Sequence, residues 1–412
     1  MNSTLFQENR KRFSNRMKNN SIAVFFSNTF WRDTADQFYP FSVDRNFYYF
    51  TGIGRENMVL MLSKINDEVE ECLFIPPVDE MYEKWHAVFV RKDEAVERSG
   101  IANVLETTAF DQNLAKKIYS SGNVEYVYVF SNISELNEAD NLYSSFAGKV
   151  KSRFPAIVLL NSLPIMAELR NVKDKEEILE IKKAVDMTKE ALEFTMKALK
   201  PGICEYEITA HFQYQLALRN SRARFRTIVA SGKNAMILHY NAGHTRTKDN
   251  DLVLLDLGAF SNWYVSDITR TYPVSGKFTQ RQKDLYNIVL EAQNVAMSEM
   301  RAGVSELAVN NAVNRYYAKE LKNMKLIKLD SEVDRYFYHG IGHSIGLDLH
   351  DLKNPEKLLL ENAVFTVEPG LYIAEEGTGI RIEDNVVVTK SGVELLSGDI
   401  IKTVADIENY MG

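Results

Sequence analysis

The sequence predicts an α/β fold of the α+β type in two domains, an amino-terminal domain over residues 1–170 and a second domain over residues 171–412. Short β-rich segments alternate with helical patterns up to residue 170, which is typical of a mixed sheet with helices packed on it. Beyond residue 170 one order of elements occurs twice, which indicates an internal repeat. At roughly 150 residues per domain, the length also favours more than one domain.

The amino-terminal domain is predicted to begin with a weakly amphipathic helix over residues 5–17. Short β-rich runs follow at Ser21–Phe26, Phe47–Gly52, Met58–Leu62, Cys72–Pro76, Tyr126–Phe130 and Ala156–Leu160. Helical stretches are predicted near residues 112–120 and 135–150. Together these segments indicate a mixed α/β sheet domain.

A long helix is predicted to open the second domain. Asp174 followed by Glu177 has the spacing of a capping box, and apolar residues then keep the helical period until Pro201. Thr279 and Gln282 have the same spacing and predict a second long helix. A Gly-x-x-Glu segment and a further helical pattern follow each of these helices.

The two halves of the second domain also share a strand-like segment. Asn250–Gly258 aligns with Asn362–Gly370, and each contains a carboxylate just before its final glycine. The common order of motifs favours duplication over a chance match of short motifs. A helix–helix–sheet unit used twice would bury its sheets against its own helices, with any site where the halves meet.

The composition excludes several classes of function. Lys and Arg number 49 against 56 Asp and Glu, whereas nucleic-acid binders normally have a basic excess, so we expect no nucleic-acid partner. Cys72 and Cys204 lie far apart without CxxC spacing, which excludes a disulfide framework and a thiolate zinc site and fits a reducing compartment. No signal-peptide pattern and no apolar run of ~20 residues is present, so we expect a cytoplasmic protein without a membrane partner.

Two aspartates are predicted to face each other. A hairpin with its turn at Ser261-Asn262 would place Asp256 opposite Asp267, with Cβ atoms about 4.5–5.5 Å apart. Asp256 lies in an apolar run that we expect to be buried, and two buried facing carboxylates require a proton or a cation between them. The alternative is a pair of solvated aspartates on an irregular loop.

A second carboxylate pair occurs at the corresponding place in the other half. Glu368 and Glu383 are equidistant from the turn-like segment Ala374–Gly379, so a hairpin would also place them opposite each other. The alternative is an acidic surface, since Glu375, Glu376 and Asp384 are nearby. Two opposed pairs in equivalent positions favour a cation site.

Histidines cluster around and between the two carboxylate pairs. Of the seven in the chain, five lie between residues 239 and 350: His239, His244, His339, His343 and His350. The glycines of the His339–His343 segment make it a poor helix, so it is not the helical His-Glu-x-x-His zinc motif. Four carboxylates with a nitrogen ligand are typical of a dinuclear site for Mn, Co, Zn or Fe(II), which predicts hydrolysis of an amide or ester. Spacing leaves open which histidine is the ligand.

The motifs of the second domain resemble those of the pita-bread metallopeptidases, which include methionine aminopeptidase, prolidase and aminopeptidase P. The matching segments are 237–240, 255–258, 266–273, 339–343, 366–370 and 379–384, in the expected order. The resemblance implies a pita-bread fold with a pseudo-two-fold repeat. It also implies two divalent metal ions, most commonly manganese or cobalt with zinc as a possibility, and the ligands Asp256, Asp267, His343, Glu368 and Glu383.

The resemblance also implies roles around the metals. It places His239, His339 and His350 around the substrate, with Arg381 beside them. Glu368 would accept a proton from the attacking water while remaining a ligand, and His350 and His239 would stabilise the tetrahedral intermediate. Arg381 would orient carboxylates or substrate, and a purely structural ion pair is the alternative.

The first domain narrows the choice within the family. Tyr39–Gly52 and Trp85-His86 resemble the amino-terminal domain of the aminopeptidase P group, which implies release of the first residue from peptides with proline in second position. Prolidase, acting on dipeptides with the same metal chemistry, is the alternative. Methionine aminopeptidase lacks such a domain, creatinase lacks the metal ligands, and metal-free binding modules of this fold lose ligands that this chain keeps. Family resemblance also suggests a homodimer or homotetramer.

Overall fold

The computed structural model describes residues 1–86, 88–120, 123–133, 135 and 137–412. These residues divide into two compact units, Met1–Leu169 and Arg170–Gly412. Within the described residues, no helix is both long enough and apolar enough to cross a membrane.

The first unit combines one mixed sheet with helices. Its helices are α1 Ser3–Arg16, α2 Arg45–Thr51, α3 Glu80–Trp85, α4 Lys92–Ser99, α5 Phe110–Ser120, α6 Leu142–Arg153 and α7 Leu163–Asn171. The last two residues of α7 belong to the second unit. Its strands are β1 Ser21–Phe26, β2 Arg32–Thr34, β3 Gln37–Phe38, β4 Val59–Ile65, β5 Glu68–Ile75, β6 Val104–Glu106, β7 Tyr126–Val129 and β8 Val158–Asn161. The main sheet has the order β6-β5-β4-β1-β7-β8, in which β1 pairs antiparallel with β4 and parallel with β7. The predicted mixed α/β sheet is therefore confirmed.

One predicted β-rich run is a helix instead. Residues Phe47–Gly52 lie in α2 and its C-cap, although aromatic residues favour strands. The Asp44 side chain accepts hydrogen bonds from the amides of Asn46 and Phe47, and Gly52 ends the helix at φ 66°. These caps and the burial of the aromatic rings outweigh the strand propensity.

The boundaries of a second prediction in this unit are also corrected. The helix expected near residues 135–150 begins at Leu142, where Asn141 forms its capping box. Residue 136 lies outside the described residues.

The second unit contains the repeat. Its helices are α8 Lys175–Ala198, α9 Glu205–Leu218, α10 Gln280–Glu299, α11 Glu306–Asn323 and α12 Val404–Met411. Its strands are β9 Ile228–Ser231, β10 Leu252–Leu257, β11 Phe260–Ser261, β12 Tyr264–Val265, β13 Ile268–Pro273, β14 Val364–Val367, β15 Gly370–Ile373, β16 Thr378–Arg381, β17 Asp384–Val388 and β18 Val393–Leu395. Both predicted capping boxes are confirmed, at the start of α8 and at the start of α10.

The two halves of this unit match in backbone detail. Gly202 and Gly303, which follow α8 and α10, both have φ 86°, a conformation that favours glycine. The amide of Gly202 donates to the Thr247 carbonyl at 2.9 Å, and the amide of Gly303 donates to the Leu359 carbonyl at 2.8 Å. The helix pairs α8–α9 and α10–α11 are thus joined to their following segments in the same way, which confirms the internal repeat.

Each half then provides a small sheet and a hairpin. The three-stranded sheets formed by the described residues have the orders β13-β10-β9 and β14-β17-β18. The pair β11–β12 extends the hairpin of β10 and β13, and the pair β15–β16 extends the hairpin of β14 and β17. The carboxylates lie where these sheets join their hairpins.

Candidate metal centre

The two glutamates lie opposite each other, as the sequence predicts. The pairs β14–β17 and β15–β16 follow one continuous antiparallel register. Val367 lies opposite Asp384 in the first pair, so Glu368 and Glu383 face each other in the gap between the two ladders. The burial of Glu383 is nearly complete, with 2% of its surface exposed.

The aspartate hairpin has a different register from the one expected. Asp256 pairs with Thr269 rather than with Asp267, because the turn falls on Asn262 and Trp263. Both turn residues have positive φ, 45° and 71°, as a two-residue type I′ turn requires. The predicted pairing is therefore wrong by two residues. A shift of two nevertheless keeps the same face of the hairpin, and Asp256 remains close enough to raise the pKa of Asp267.

His343 joins the aspartate and glutamate pairs. Its Nε2 lies 3.4 Å from Asp267 Oδ2 and 3.7 Å from Glu368 Oε1. Its Nδ1 lies 3.1 Å from the Ser344 carbonyl, which places the ring proton on Nδ1 and leaves the Nε2 lone pair facing the carboxylates. Asp267, His343 and Glu383 each present a potential ligand atom within 4.8 Å of the other two.

The electrostatics of this cluster suit a cation. Burial, followed by repulsion from neighbouring carboxylates, raises the pKa of Asp267 and of Glu383 well above the ordinary range. Burial also raises the pKa of Glu368. Within the described residues, Asp267 Oδ1 is buried without a hydrogen-bond partner. Divalent cations fit this cluster for two reasons. They would bind the oxygen that has no hydrogen-bond partner, and their charge would offset the cost of ionising several buried carboxylates close together.

Arg381 lies behind the carboxylates and holds them. It is 3% exposed, and its Nη2 donates to Asp256 Oδ2 at 2.6 Å. Its Nε donates to Thr269 Oγ1 at 3.2 Å, and that hydroxyl donates to Glu383 Oε2 at 2.6 Å. Arg381 thereby connects the two hairpins and is not among the described residues that line the cavity above them.

His339 belongs to the same supporting network. Its Nε2 lies 2.9 Å from the Tyr372 hydroxyl, which accepts a hydrogen bond from Arg381 Nη1 at 3.0 Å. Burial and the charge of Arg381 lower the pKa of His339 to about 4, so its imidazole is neutral near pH 7. It too is absent from the described lining of the cavity.

A cavity of about 340 Å³, termed the catalytic cavity below, lies above the carboxylates. The described residues that line it are Phe225, Arg226, Ile228, His239, Tyr240, Asn241, Asp256, Asp267, His343, Leu349, His350, Glu368 and Glu383. The rings of His343 and His350 stack with centroids 3.9 Å apart. Burial and neighbouring positive groups lower the pKa of His350 to about 4.

Sequence reasoning assigned no role to several residues of the site. Thr269 and Tyr372 lie within or beside the quoted motifs, but only the observed register reveals their contacts with Arg381. Phe225 and Arg226 come from a segment without a recognisable pattern. Their proximity to the carboxylates results from tertiary folding.

Known proteins match both units. The model of metallopeptidase family M24 matches residues 180–390, and that of the aminopeptidase P N-terminal domain matches residues 6–128. The chain is 32% identical to the Xaa-Pro aminopeptidase of Escherichia coli, covering 98% of this chain and 97% of that protein. It is also 32% identical to the Xaa-Pro aminopeptidase of Haemophilus influenzae, covering 98% and 96%.

Solved structures agree over the full length. A Bacillus anthracis structure superposes with a TM-score of 0.97 at 39% identity, covering 100% of this chain and 98% of that chain. Escherichia coli aminopeptidase P with the inhibitor Pro-Leu superposes with a TM-score of 0.90 at 31% identity and the same coverage. The chain belongs to metallopeptidase family M24, with an aminopeptidase P N-terminal domain.

Proposed function

We propose that this protein is an Xaa-Pro aminopeptidase, a dinuclear metal-dependent hydrolase that releases the first residue of peptides with proline in second position. The observation that carries the proposal is the buried cluster of Asp267, His343 and Glu383 beneath a cavity, in a chain that matches Xaa-Pro aminopeptidases from end to end. Proline specificity follows from those relatives and from the aminopeptidase P N-terminal domain.

The proposed ligands of two divalent ions are Asp256, Asp267, His343, Glu368 and Glu383. We assign manganese as the metal, with cobalt or zinc as substitutes; a zinc-substituted form of the Escherichia coli enzyme is known. When bound, two such metal ions would supply a hydroxide nucleophile at neutral pH and polarise the scissile carbonyl.

The protein side chains would perform the remaining steps. Of the two glutamates, Glu368 is the more exposed: 19% of its side-chain surface is exposed, whereas Glu383 is buried. Glu368 is therefore the proposed proton acceptor. His239 and His350 line the catalytic cavity and would donate hydrogen bonds to the developing oxyanion. Arg381 holds Asp256 in place, so its proposed role is to orient the carboxylates.

The specificity has a chemical basis. The bond before proline is a tertiary amide without an N–H, so a site that does not require this donor accepts it. Escherichia coli aminopeptidase P binds Pro-Leu as an inhibitor. We therefore propose a site that accommodates proline after the cleaved bond and residues beyond it.

Two measurements test the proposal. Chelation should abolish hydrolysis of Xaa-Pro-Xaa peptides, and manganese or cobalt should restore it. Product analysis should show release of the first residue only, with a higher kcat/KM for tripeptides than for the matching Xaa-Pro dipeptides. A strong preference for dipeptides would support prolidase activity with the same metal chemistry, whereas full activity after chelation would contradict the metal assignment.

We further propose that residues 1–170 form the aminopeptidase P-like domain and residues 171–412 the catalytic domain of a cytoplasmic homodimer or homotetramer. Large apolar side chains are exposed in the first unit, including Trp31 at 68% and Trp85 at 77%, and exposed aromatic residues are typical of subunit contacts. Light scattering coupled to size-exclusion chromatography tests this assembly, and a monomer at micromolar concentration would contradict it.

A further inference from the structure

The first Gly-x-x-Glu segment of the repeat ends in a carboxylate that the fold encloses completely. Glu205 is the first residue of α9 and is 0% exposed, whereas Glu306, at the equivalent place in the second half, is half-buried. The N-terminus of a helix favours a negative charge. A buried carboxylate is nevertheless costly unless donors surround it, so the partners of Glu205 define its role.

Five hydrogen bonds surround Glu205. Its Oε1 accepts bonds from the Ser231 amide at 2.8 Å, from the Ser231 hydroxyl at 2.7 Å and from Asn234 Nδ2 at 2.9 Å. Its Oε2 accepts bonds from the Tyr240 hydroxyl at 3.0 Å and from the Thr245 amide at 3.1 Å. Both oxygens act only as acceptors, which is the arrangement that suits an ionised carboxylate.

These partners hold both ends of one loop, residues 232–245, termed the histidine loop below. Ser231, just before the loop, is the last residue of β9 and pairs with Val253 of β10, so the sheet fixes its position. At the other end, the Glu205 amide also donates to the Thr245 carbonyl at 3.0 Å. Glu205 thus ties the two ends of the histidine loop to each other and to the start of α9.

The histidine loop carries His239 to the catalytic cavity. His239 is exposed on a turn, and no described residue forms a hydrogen bond with its side chain. The next residue, Tyr240, packs its ring against a small buried apolar cluster and donates its hydroxyl to Glu205. The position of His239 therefore depends on Tyr240 and, through it, on Glu205.

We propose that Glu205 is a positioning residue that determines where His239 lies in the catalytic cavity. Glu205 is not among the described residues that line this cavity, so it acts through Tyr240 and the histidine loop. The inference rests on the proposed function, in which His239 donates a hydrogen bond to the developing oxyanion. Misplacement of such a group by ~1 Å can lower a rate by ~10²-fold, so the clamp affects the reaction as well as the fold.

A double-mutant cycle with His239 tests the proposal. Glu205→Gln replaces one acceptor oxygen with an NH₂ group, which would face the amide of Ser231 or of Thr245. It should lower kcat for an Xaa-Pro-Xaa peptide by at least about tenfold and leave the metal content unchanged. In a His239→Ala background, the same substitution should change kcat by less than about twofold, because the group that it positions is gone. Equal losses in the two backgrounds would overturn the proposal.

Two further variants complete the cycle. Glu207→Gln, in the same turn of α9, is the matched control, since its side chain is 42% exposed and glutamine can still accept the bond that Glu207 Oε2 accepts from the Cys204 amide at 2.7 Å. A loss of activity equal to that of Glu205→Gln would contradict the assignment. Tyr240→Phe removes one bond to Glu205 and keeps the ring, so it provides the test if Glu205→Gln does not fold. Its loss should be smaller and absent from His239→Ala protein, and a loss that persists there would also overturn the proposal.

Hydrogen exchange of the metal-loaded protein tests the clamp without substrate. Glu205→Gln should speed exchange in peptides from the histidine loop by at least about threefold, with the peptides of β10 unchanged. Unchanged exchange in the loop would refute the clamp. Absence of Xaa-Pro hydrolysis by wild type would overturn the proposed function, and the exchange measurement would still decide whether Glu205 holds the loop.

Discussion

The stacked rings of His343 and His350 show how two neighbouring residues of one type acquire different proposed roles. Both rings line the catalytic cavity, but His343 faces Asp267 and Glu368, whereas burial and neighbouring positive groups lower the pKa of His350 to about 4. A neutral imidazole that faces the substrate donates a hydrogen bond and does not repel the metal ions.

His350→Ala should therefore lower kcat by about 10²–10³ and leave the metal content unchanged, since the lost group is a donor to the oxyanion. Steady-state kinetics and metal analysis of the purified variant provide the measurement. His211→Ala, on α9, is the matched histidine control, with activity expected near wild type. Loss of metal from His350→Ala would make this residue a ligand and contradict the assignment of His343.

Two buried aspartates should respond in opposite ways to the same substitution. Burial, followed by repulsion from neighbouring carboxylates, raises the pKa of Asp267, whereas Arg270 and Lys402 lower the pKa of Asp384 despite its burial. In chelated protein near pH 7.5, Asp267→Asn should raise the melting temperature, because it removes a buried like charge. Asp384→Asn should lower the stability by about 3–5 kcal/mol, because it leaves buried cations unpaired.

Thermal unfolding of both variants, with and without chelator, tests this contrast. Asp267→Asn should also lose metal and activity, which separates its effect on stability from its effect on function. A metal-free Asp267→Asn protein with full activity would refute the proposed metal site.

At the scale of elements, the glycine-rich loop of His339–His343 gives the sharpest test. A Cβ at Gly342 would lie 2.0 Å from the Thr366 carbonyl oxygen, so this residue must be glycine for the loop to pack on β14. The His343 amide donates to Thr366 Oγ1 at 2.9 Å in the same contact. Displacement of the loop would therefore displace His343.

Gly342→Ala should lower metal affinity and kcat/KM by at least about tenfold, a change expected when a ligand is moved out of position. Gly340→Ala is the matched control, since a Cβ there has no described neighbour within 4 Å and its φ is not positive. Metal titration and kinetics on both variants make the comparison. Equal losses in the two would indicate that loop flexibility, rather than close packing, is what the glycines provide.

The two hairpins show how far sequence reasoning extends. The opposed positions of Glu368 and Glu383 could be predicted because the intervening turn is symmetric about its acidic and glycine residues. The Asp256 pairing could not, because Trp263 adopts a left-handed conformation that its residue type disfavours. The prediction nevertheless placed Asp256 and Asp267 on the same face of the hairpin, since side-chain orientation repeats every two residues.

The supporting contacts were beyond the sequence for a different reason. The family resemblance placed Arg381 at the site, but its bonds to Asp256 and Thr269 join hairpins of different halves. Such contacts depend on how two sheets pack. No local pattern specifies this packing.

For the whole molecule, metal removal should make stability depend on pH. The folded-state pKa values of Asp267, Glu383 and Glu368 are raised, so the metal-free folded protein binds more protons than the unfolded chain above about pH 4. Their contribution to the free energy of unfolding is therefore present at low pH and lost as the pH rises through the folded-state values.

Melting temperatures of chelated and manganese-loaded protein should consequently diverge as the pH rises from about 5 to about 8, because bound cations keep the carboxylates ionised without penalty. The loaded protein serves as the internal control, since Asp384 and other paired acids contribute to both forms alike. A constant difference across this range would mean that the carboxylates are ionised in both forms throughout it. That result would contradict the raised pKa values of the metal-free protein.

The duplicated architecture also has a consequence for biosynthesis. In the proposed set of ligands, Asp256 and Asp267 leave the ribosome long before Glu368 and Glu383, so an emerging chain carries one like-charged pair without its counterpart. The complete coordination sphere forms only when the last hairpin docks, which places metal capture at the end of folding. Sequence-distant contacts of this kind form slowly. A divalent ion present during refolding should therefore bind and stabilise the protein after the hairpins have docked, rather than initiate folding.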